Sequence, residues 1–428
     1  MNDNNIFLVR GSKTLSGKVH ISGSKNAALP LLAASLAVHG TSVIDNIPHI
    51  ADVRTFSLLM EKLGAKIEKT GSTFTIDASD IVLAGNDLAA KEIAKMRASI
   101  LLLAPLLARF GEVKMPFPGG CVLGKRPVEA HLRAFMSLGA DILESKEYLH
   151  LKLPRGKFSA GTIVLPEISV TATENAIIAA ACAQGTTEIR LAAAEPHVQN
   201  LCEFFVNAGI PIEGIGTHTL TIHGGERAKH VSASVTPDYL EAGTFLLAGI
   251  LTDSEITVCN VYRHHLDSFL EKVAATGAQF TVNDSTKSIT THPRKEELKP
   301  VNIQTGVFPA FPTDLHPQFA VLMTQCNGVS HIFETLFEKK SAYLWELEKL
   351  GARVAVDNPH QFRIEGKTRL RGNAVASQDI RAGAAVLLAT LIAAGESEIS
   401  NIAYIHRGYE NLVEKLSRLG ADIHEEIR

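Results

Sequence analysis

The chain has 428 residues, of which 46% are hydrophobic and 20% are charged, so its composition is that of a globular protein and excludes a disordered one. Its 42 lysines and arginines nearly balance its 45 aspartates and glutamates. A formal net charge of −3 gives no bulk attraction to nucleic acid or to an anionic membrane, so any anion must be bound by a local cluster of cations. At roughly 150 residues per domain, the length predicts two or three domains.

The cysteines and the apolar segments indicate the compartment. Five cysteines, an odd number without a CxxC pair, are typical of free thiols in a reducing environment. The first residues, MNDNNIFLVRG, lack the basic-then-apolar pattern of a signal peptide. The longest apolar segment, 100–110, is interrupted by Pro105 and Arg109 and is too short to cross a bilayer. We therefore expect a cytoplasmic protein with no membrane or nucleic-acid partner.

A repeated pattern organises the chain. An apolar helix, a glycine and an alternating strand recur six times, about 70 residues apart, a spacing well above that of solenoid repeats. The glycine is suited to end each helix because it adopts the left-handed conformation without steric cost. These glycines are Gly64, Gly139, Gly209, Gly277, Gly351 and Gly420. Each repeat also contains an Ala- and Leu-rich helix that is apolar on nearly every face, which predicts that this helix is buried.

Six repeats with buried helices predict an α/β protein of two domains, each with three repeats, helices inside and sheets outside. The first domain is expected over 25–235, with a mobile loop at 116–128. The second domain is expected to combine 1–24, an additional strand segment, with 236–428. We interpret HVSASVTPD, which begins at His230, as the linker between them. Two-domain enzymes commonly bind substrate in the cleft between domains.

The first candidate cluster precedes a buried helix. In SGSKNA, a Gly/Ser turn leads directly into the helix and Lys25 falls in its first turn. The helix dipole disfavours a cation there, so Lys25 is expected to have an anionic partner, and the free N–H groups of that terminus also suit an anion. Equivalent positions in other repeats carry Arg97 and Arg381, and Arg407 follows the sixth strand.

Cys121 differs from the other four cysteines. It lies in a loop after Pro118 and two glycines, and Lys125 and Arg126 follow closely. Neighbouring cations favour the thiolate, and a loop position gives a substrate access to it. The remaining cysteines have apolar neighbours and are expected to be small buried hydrophobes: Cys182, Cys202, Cys259 and Cys326.

A third cluster surrounds Asp314 in FPTDLH. Asp314 could be the N-cap of the following helix or a general base facing the cleft, and the residues alone leave both interpretations open. His316 and the pair His264 and His265 have no metal-ligand spacing, so no metal site is expected. No dinucleotide fingerprint is present, because GIGTHT at Gly214 lacks the third glycine, and no cofactor is expected.

The sequence resembles the enolpyruvyl transferases, and among them the UDP-N-acetylglucosamine 1-carboxyvinyltransferases, over essentially the whole chain. The matching segments occur in the family's order: SGSKNAALP, KMRASI, PGGCVLGKRPVEAHL, SVTATEN, GIGTHTLTI, PDYLEAGTF, AFPTDLHPQF, DIRAGAAVLLA and HRGYENLVEKLSRLGA. The resemblance implies the inside-out α/β barrel, with two domains of three repeats and the N-terminal segment joined to the second domain.

The resemblance also implies the reaction and its residues. Enolpyruvyl would pass from phosphoenolpyruvate to the 3-hydroxyl of UDP-N-acetylglucosamine by addition and elimination, in the first committed step of peptidoglycan synthesis. Cys121 would protonate the methylene carbon and be the target of fosfomycin, and Asp314 would accept the hydroxyl proton. Lys25, which the resemblance also counts among the catalytic residues, would hold the phosphate and carboxylate of phosphoenolpyruvate together with Arg126 and Arg407, with Asn26 beside them. Asp379 and Arg381 would complete the cleft from the second domain. The nucleotide-sugar set would be Arg97, Arg126, Pro127, Val128, Glu129, Ala130, Ser169, Val170, Thr171 and Leu336, with Lys340 at a further substrate-binding position.

The sequence departs from the family's usual pattern at three of these positions. Lys340 replaces Arg, Glu129 replaces Asp, and Thr171 replaces Gly. Two alternatives to the family's reaction remain: an enolpyruvyl transferase with another acceptor, such as shikimate 3-phosphate or a different nucleotide, and a non-catalytic protein that binds a UDP-sugar. A thiol in the loop argues against the shikimate enzyme. We expect a monomer or a weak oligomer.

Overall fold

The computed structural model describes residues 5–83, 93, 96–119, 128–143, 148–226 and 229–427. The contacts of the chain divide it into two compact units. One unit is Gly23–Thr236, and the other combines Met1–Ser22 with Pro237–Arg428. The chain therefore passes from one unit to the other twice, once after Ser22 and once after Thr236.

The described residues of the unit Gly23–Thr236 form three sheets. In spatial order, their strands are His230–Ser234, Thr41–Asp45, Thr73–Asp77 and Lys66–Thr70; then Glu112–Pro116, Tyr148–Lys152 and Asp141–Leu143; then Ile212–Glu213, Thr219–Gly224, Gly185–Arg190 and Thr162–Val164. Its helices in the described ranges are Lys25–Ser35, Ala51–Lys62, the 3₁₀ turn Arg97–Leu102 that continues into Leu103–Phe110, Glu129–Ser137, Val170–Cys182 and Pro196–Asn207.

The other unit, over residues 5–22 and 237–427, also forms three sheets. Their strands are Ala374–Ala376, Glu396–Ser400, Ile6–Arg10 and Asp422–Glu426; then Gln279–Asn283, Ser288–His292, Glu255–Cys259 and Ser16–His20; then Phe311–Pro312, Ile303–Gly306, Gly328–Phe333, Gln361–Gly366 and Arg353–Asn358. Its helices are Tyr239–Leu251, the 3₁₀ turn Arg263–His265, Asp267–Ala275, His316–Met323, Ala342–Lys349, Ile380–Ile392, Ala403–His406 and Leu412–Arg418.

The apolar helices are buried, as their composition predicts. Every residue of Tyr239–Leu251 is buried, and so is nearly every residue of Val170–Cys182 after its first turn. The six helix-ending glycines all have positive φ, between 85° and 102°, which confirms the left-handed stop predicted from the repeat. Helices and mixed sheets together confirm an α/β fold.

The interpretation of HVSASVTPD as a linker is wrong. His230–Ser234 is a strand that pairs in parallel with Thr41–Asp45, in register from His230 opposite Thr41. Val231 and Val235 are buried, so the segment has the period-two pattern of a half-buried strand. Its polar residues lie on the other face of the sheet, which made the segment resemble a loop.

Within the part of the chain that the structure describes, no helix is both long enough and apolar enough to cross a membrane.

Candidate functional site

Lys25 is held at the start of a buried helix. Ser24 occupies the N-cap position, and Lys25 begins the helix Lys25–Ser35. Its Nζ lies 3.6 Å from Oδ2 of Asp52, and both side chains are largely buried, at 14% and 10% exposed. Asp52 belongs to the first turn of the neighbouring helix Ala51–Lys62. The anionic partner expected for Lys25 is therefore supplied in part by the protein, and this carboxylate fixes where the ammonium group lies. Asn26 follows Lys25 and is half-buried.

A hydrogen-bonded group links two other helices of the same unit. Thr171 Oγ1 lies 3.1 Å from His131 Nε2, and Asn175 Nδ2 lies 2.9 Å from His131 Nδ1. His131 is on the helix Glu129–Ser137, and Thr171 and Asn175 are on the helix Val170–Cys182. Burial, together with the charge of nearby Arg97, lowers the pKa of His131 to about 3, so the ring is neutral.

The expected nucleotide-sugar residues of this unit differ in exposure. Val128 and Ser169 are the N-cap residues of their helices, and the half-buried Val170 begins the second of them. Glu129 is exposed and accepts a 3.0 Å hydrogen bond from Arg133 one turn later. Ala130 is 3% exposed and packs in the core, so its methyl group does not face a ligand. Cys121, Arg126 and Pro127 lie outside the described residues.

Asp314, in the other unit, is held by two cations. Lys340 Nζ donates to Oδ1 at 2.6 Å, and Arg381 Nε donates to Oδ2 at 3.3 Å. Lys340 and Arg381 are 3% and 6% exposed, whereas Asp314 remains 34% exposed. The following helix begins at His316 with Leu315 at its N-cap position, so the N-cap interpretation of Asp314 is wrong. The carboxylate is instead held between two cations and is partly accessible, and a general base needs both a fixed position and access to the substrate.

A buried layer supports this group. Thr313 Oγ1 accepts from Lys340 Nζ at 3.0 Å and donates to Glu334 Oε2 at 2.8 Å. The Glu334 side chain also accepts the backbone N–H groups of Leu336 and Phe337. It thereby fixes the segment that presents Leu336, whose side chain is 40% exposed. His316 Nε2 lies 3.3 Å from Glu334, and burial, followed by the charge of Lys340, keeps the pKa of His316 well below its usual value.

Arg381 and Asp379 occupy the start of the helix Ile380–Ile392. Asp379 is its N-cap, and Oδ1 accepts the backbone N–H groups of Arg381 and Ala382 at 2.8 Å each. The Arg381 guanidinium lies 5.3 Å from the ring centre of Tyr409. Burial opposes the charge of Arg381, but Tyr409 and the carboxylates of Asp314 and Asp238 raise its pKa above the ordinary value. Arg407 is half-buried at the C-cap of Ala403–His406, two residues before Tyr409.

The described thiols differ in burial, whereas the sequence predicted that all four are buried. Cys202 and Cys326 are buried, and burial raises the pKa of each to about 12, so both are inert. Cys182 and Cys259 are only partly buried, because each lies at the end of its helix or strand, beyond the centre of the packed layer.

Sequence reasoning missed four residues that organise these groups: His131, Asn175, Thr313 and Glu334. A signal existed for Asn175, because Thr171 and Asn175 are four residues apart and share one helix face. Thr313 is adjacent to Asp314, which was singled out. Glu334 carried no comparable signal, since its role depends on a strand and a loop brought together by folding.

The chain is similar to known enolpyruvyl transferases over its full length. The family model described as EPSP synthase (3-phosphoshikimate 1-carboxyvinyltransferase) matches residues 9–416. Two curated relatives are named UDP-N-acetylglucosamine 1-carboxyvinyltransferase. The relative from Desulfosudis oleivorans is 42% identical, covering 97% of this chain and 98% of its own. The relative from Campylobacter hominis is 44% identical with the same coverage.

Solved structures agree on the fold. The enolpyruvyl transferase NikO from Streptomyces tendae superposes with a TM-score of 0.88 at 27% identity, covering 99% of each chain. EPSP synthase from Acinetobacter baumannii superposes with a TM-score of 0.75 at 16% identity, covering 99% of this chain and 100% of that one, and this likeness bears on the fold alone. With the curated relatives, these findings show that the chain belongs to the UDP-N-acetylglucosamine 1-carboxyvinyltransferase family of enolpyruvyl transferases.

Proposed function

We propose that the protein transfers the enolpyruvyl group of phosphoenolpyruvate to the 3-hydroxyl of UDP-N-acetylglucosamine and releases phosphate. The observation that carries this proposal is the full-length similarity to relatives of that name, at 42% and 44% identity. The carboxylate of Asp314, which is held by Lys340 and Arg381, supports it, because addition of an alcohol to the double bond of an enol phosphate requires a base for the hydroxyl proton.

The addition step forms a tetrahedral intermediate. The 3-oxygen of the sugar bonds to C2 of phosphoenolpyruvate, its proton passes to Asp314, and the C2–C3 double bond takes a proton at C3 from Cys121. Cys121 is assigned by the PGGCVLGKR motif. The same thiol would be the site alkylated by fosfomycin.

The elimination step releases phosphate. A proton passes from the methyl group formed at C3 to the Cys121 thiolate left by the addition, and the C2–C3 double bond is restored. The phosphate group departs from C2 with the electron pair of the C–O bond, and the proton held by Asp314 is released to the phosphate or to solvent. The enolpyruvyl ether of the sugar is the product. No cofactor is needed, because oxidation states do not change.

Cations at the ends of helices would bind the anionic substrates. Lys25 and Arg407, with Arg126, would hold the phosphate and carboxylate of phosphoenolpyruvate, and Asn26 would add a hydrogen bond. The Asp52 carboxylate stands 3.6 Å from Lys25 Nζ. An ammonium group has three N–H donors, so it can donate to more than one acceptor. Arg381 and Asp379 would border this subsite, and Arg381 would also orient Asp314.

The nucleotide-sugar would be bound by residues from the first turns of neighbouring helices. Uncapped N–H groups and a local positive potential suit a diphosphate there. The proposed set comprises Arg97, Arg126, Pro127, Val128, Glu129, Ala130, Ser169, Val170, Thr171 and Leu336. Ala130, whose methyl group is buried, would contribute through its backbone. Lys340 is assigned to Asp314 instead of to the substrate, since it is 3% exposed and bonded to that carboxylate.

The finer features of the fold belong to the same proposal. We place the chain in the inside-out α/β barrel architecture, with domains over 25–235 and over 1–24 plus 236–428. The segment 116–128 contains Cys121, which this proposal assigns as the general acid. The protein would act in the cytoplasm, in cell-wall synthesis and so in cell shape and division, as a monomer or a weak oligomer.

Phosphate release tests the proposal. Purified protein is incubated with phosphoenolpyruvate and one acceptor at a time: UDP-N-acetylglucosamine, shikimate 3-phosphate, or a different UDP-sugar. We expect phosphate release when the acceptor is UDP-N-acetylglucosamine and none with the other two acceptors. Release with shikimate 3-phosphate would establish the other transferase, and nucleotide-sugar binding without release would indicate a non-catalytic protein.

A further inference from the structure

A chain of hydrogen bonds leads from the core of the unit Gly23–Thr236 to Thr171. It begins at the backbone between Ile100 and Ala104, passes through Asn175 and His131, and ends at the Thr171 hydroxyl. Asn175 and His131 are 0% and 2% exposed, whereas Thr171 is half-buried at the start of its helix. Only Thr171 can therefore reach a ligand directly.

The orientation of the Asn175 amide is fixed by the backbone. Its Oδ1 accepts the N–H of Ala104 at 3.3 Å, and its Nδ2 donates to the carbonyl of Ile100 at 3.1 Å. Exchanging the two amide atoms would place a donor against a donor and an acceptor against an acceptor. The second hydrogen on Nδ2 is thus the one directed at His131 Nδ1, 2.9 Å away.

This amide in turn fixes the tautomer of His131. A ring nitrogen that receives a hydrogen bond carries no proton, so Nδ1 is bare and the proton is on Nε2. Nε2 then donates to Thr171 Oγ1 at 3.1 Å. Burial and the nearby charge of Arg97 lower the pKa of His131 to about 3, so the ring does not become a double donor near neutral pH.

The hydrogen bond from His131 makes the Thr171 hydroxyl a donor toward any further partner. One lone pair accepts from His131, so the hydroxyl hydrogen is available to a further acceptor. Thr171 is the second residue of Val170–Cys182, whose N-cap Ser169 makes no side-chain cap, and Arg97 adds a positive charge nearby. The local potential therefore favours an anionic acceptor.

We propose that His131 and Asn175 are positioning residues that make the Thr171 hydroxyl a hydrogen-bond donor to a diphosphate oxygen of UDP-N-acetylglucosamine, a specificity contact that rests on the proposed function. Glycine, which the family usually has at this position, offers no hydroxyl, so the contact would be a property of this chain.

Direct binding measurements distinguish the effect of the Thr171 hydroxyl on affinity from the effect of the side chain's shape. The dissociation constants of UDP-N-acetylglucosamine and of UDP are measured by calorimetry for the wild type, Thr171→Ser and Thr171→Val. A hydrogen bond to a charged group corresponds to a factor of roughly 10 to 100 in affinity. We expect Thr171→Val to weaken both ligands by this factor and Thr171→Ser to bind as the wild type does. Thr221→Val, on the half-buried strand Thr219–Gly224, is the matched control and should change neither.

The positioning role is tested by a double-mutant cycle with His131→Met. We expect this substitution to weaken UDP binding about 3- to 10-fold when residue 171 is Thr, and to have no further effect in the Thr171→Val background. His131→Gln, whose amide N–H can replace Nε2–H, should restore most of the affinity. Melting temperatures verify that each variant is folded, and if His131→Met does not fold, the Ser and Val variants still decide the hydroxyl's role.

Three results would overturn the inference. Equal loss from His131→Met in both backgrounds would show that His131 does not act through Thr171. Unchanged UDP binding by Thr171→Val would remove the hydroxyl from the site, and a loss confined to UDP-N-acetylglucosamine would remove the contact from the diphosphate. If the wild type binds neither ligand, the proposed function itself fails, which is a different outcome.

Discussion

Lys340 Nζ lies 2.6 Å from Oδ1 of Asp314, and it is the buried member of the pair, 3% exposed against 34%. The second carboxylate oxygen is bonded to Arg381 at 3.3 Å. Each oxygen is thus fixed by a different cation, while the carboxylate keeps an accessible side. If Asp314 is the proposed general base, a carboxylate that is immobilised before substrate binds needs little reorganisation during the reaction.

Asp314→Asn removes the proposed base but keeps the size of the side chain. General-base catalysis contributes about 10²- to 10⁴-fold, so we expect turnover to fall within that range. Binding of UDP-N-acetylglucosamine, measured by calorimetry, should change little. Turnover close to that of the wild type would remove Asp314 from the proton-transfer step.

Lys340 is expected to act on Asp314 and not on phosphoenolpyruvate. Lys340→Met should lower kcat about 10-fold or more, because Asp314 loses one of its two anchors, and should leave KM for phosphoenolpyruvate within about 3-fold. It should also destabilise the fold by about 1–3 kcal/mol, below the cost for a fully buried pair, since Asp314 is one-third exposed. Steady-state kinetics and urea unfolding check both effects.

Lys340→Arg is the matched variant, since it keeps the charge beside Asp314. It should recover most of the kcat lost in Lys340→Met. A large rise in KM for phosphoenolpyruvate with kcat intact would instead place residue 340 in the substrate site, as the resemblance originally implied.

Glu174 gives a pH-dependent prediction. Burial, then the charge of Glu195, raises the pKa of Glu174 well above its ordinary value. A raised pKa means that the folded protein holds the proton more tightly than the unfolded chain, so stability decreases as pH rises above about 4.5. The glutamine in Glu174→Gln is neutral at every pH, so this variant does not show the decrease. In the wild type, the free energy of unfolding falls by at most about 1.4 kcal/mol per pH unit from this cause.

The measurement is the melting temperature of wild type and Glu174→Gln between about pH 5 and pH 8. The difference in favour of Glu174→Gln should grow as pH rises. Glu68→Gln, on an exposed strand position, should parallel the wild type. A difference that shrinks with rising pH would have the wrong sign for this account.

The thiols give a prediction about labelling. Cys202 and Cys326, with a pKa of about 12, should resist alkylation near neutral pH. Fosfomycin should modify Cys121, as determined by peptide mass spectrometry, and Cys121→Ser should lose turnover and be insensitive to the compound. If fosfomycin still inactivated Cys121→Ser, the reactive residue would be another one.

The sequence predicted the regular parts of the fold because they depend on local patterns. Helix-ending glycines and apolar helices recur along the chain, and the structure confirms positive φ at the six glycines and burial of those helices. His230–Ser234 was misinterpreted because its edge position leaves polar residues along one face. Local patterns do not reveal which strand another segment will pair with.

For the candidate site, the sequence indicated which residues belong to it more reliably than it indicated which residues they contact. Asp314 was recognised from its motif, but its two anchors, Lys340 and Arg381, are 26 and 67 residues away in sequence. Their convergence depends on how the repeats pack. The tautomer of His131 likewise depends on an amide 44 residues away, which no local pattern encodes.

Analysis of the product formed in D₂O tests the central claim most directly. Protein, phosphoenolpyruvate and UDP-N-acetylglucosamine are incubated in D₂O, and the product is examined by NMR. We predict an enolpyruvyl ether at the 3-oxygen of the sugar, one phosphate released per ether formed, and deuterium in its vinyl group, because C3 passes through a methyl state. A product without deuterium would contradict addition and elimination, and phosphoenolpyruvate consumed without any sugar ether would contradict the transfer itself.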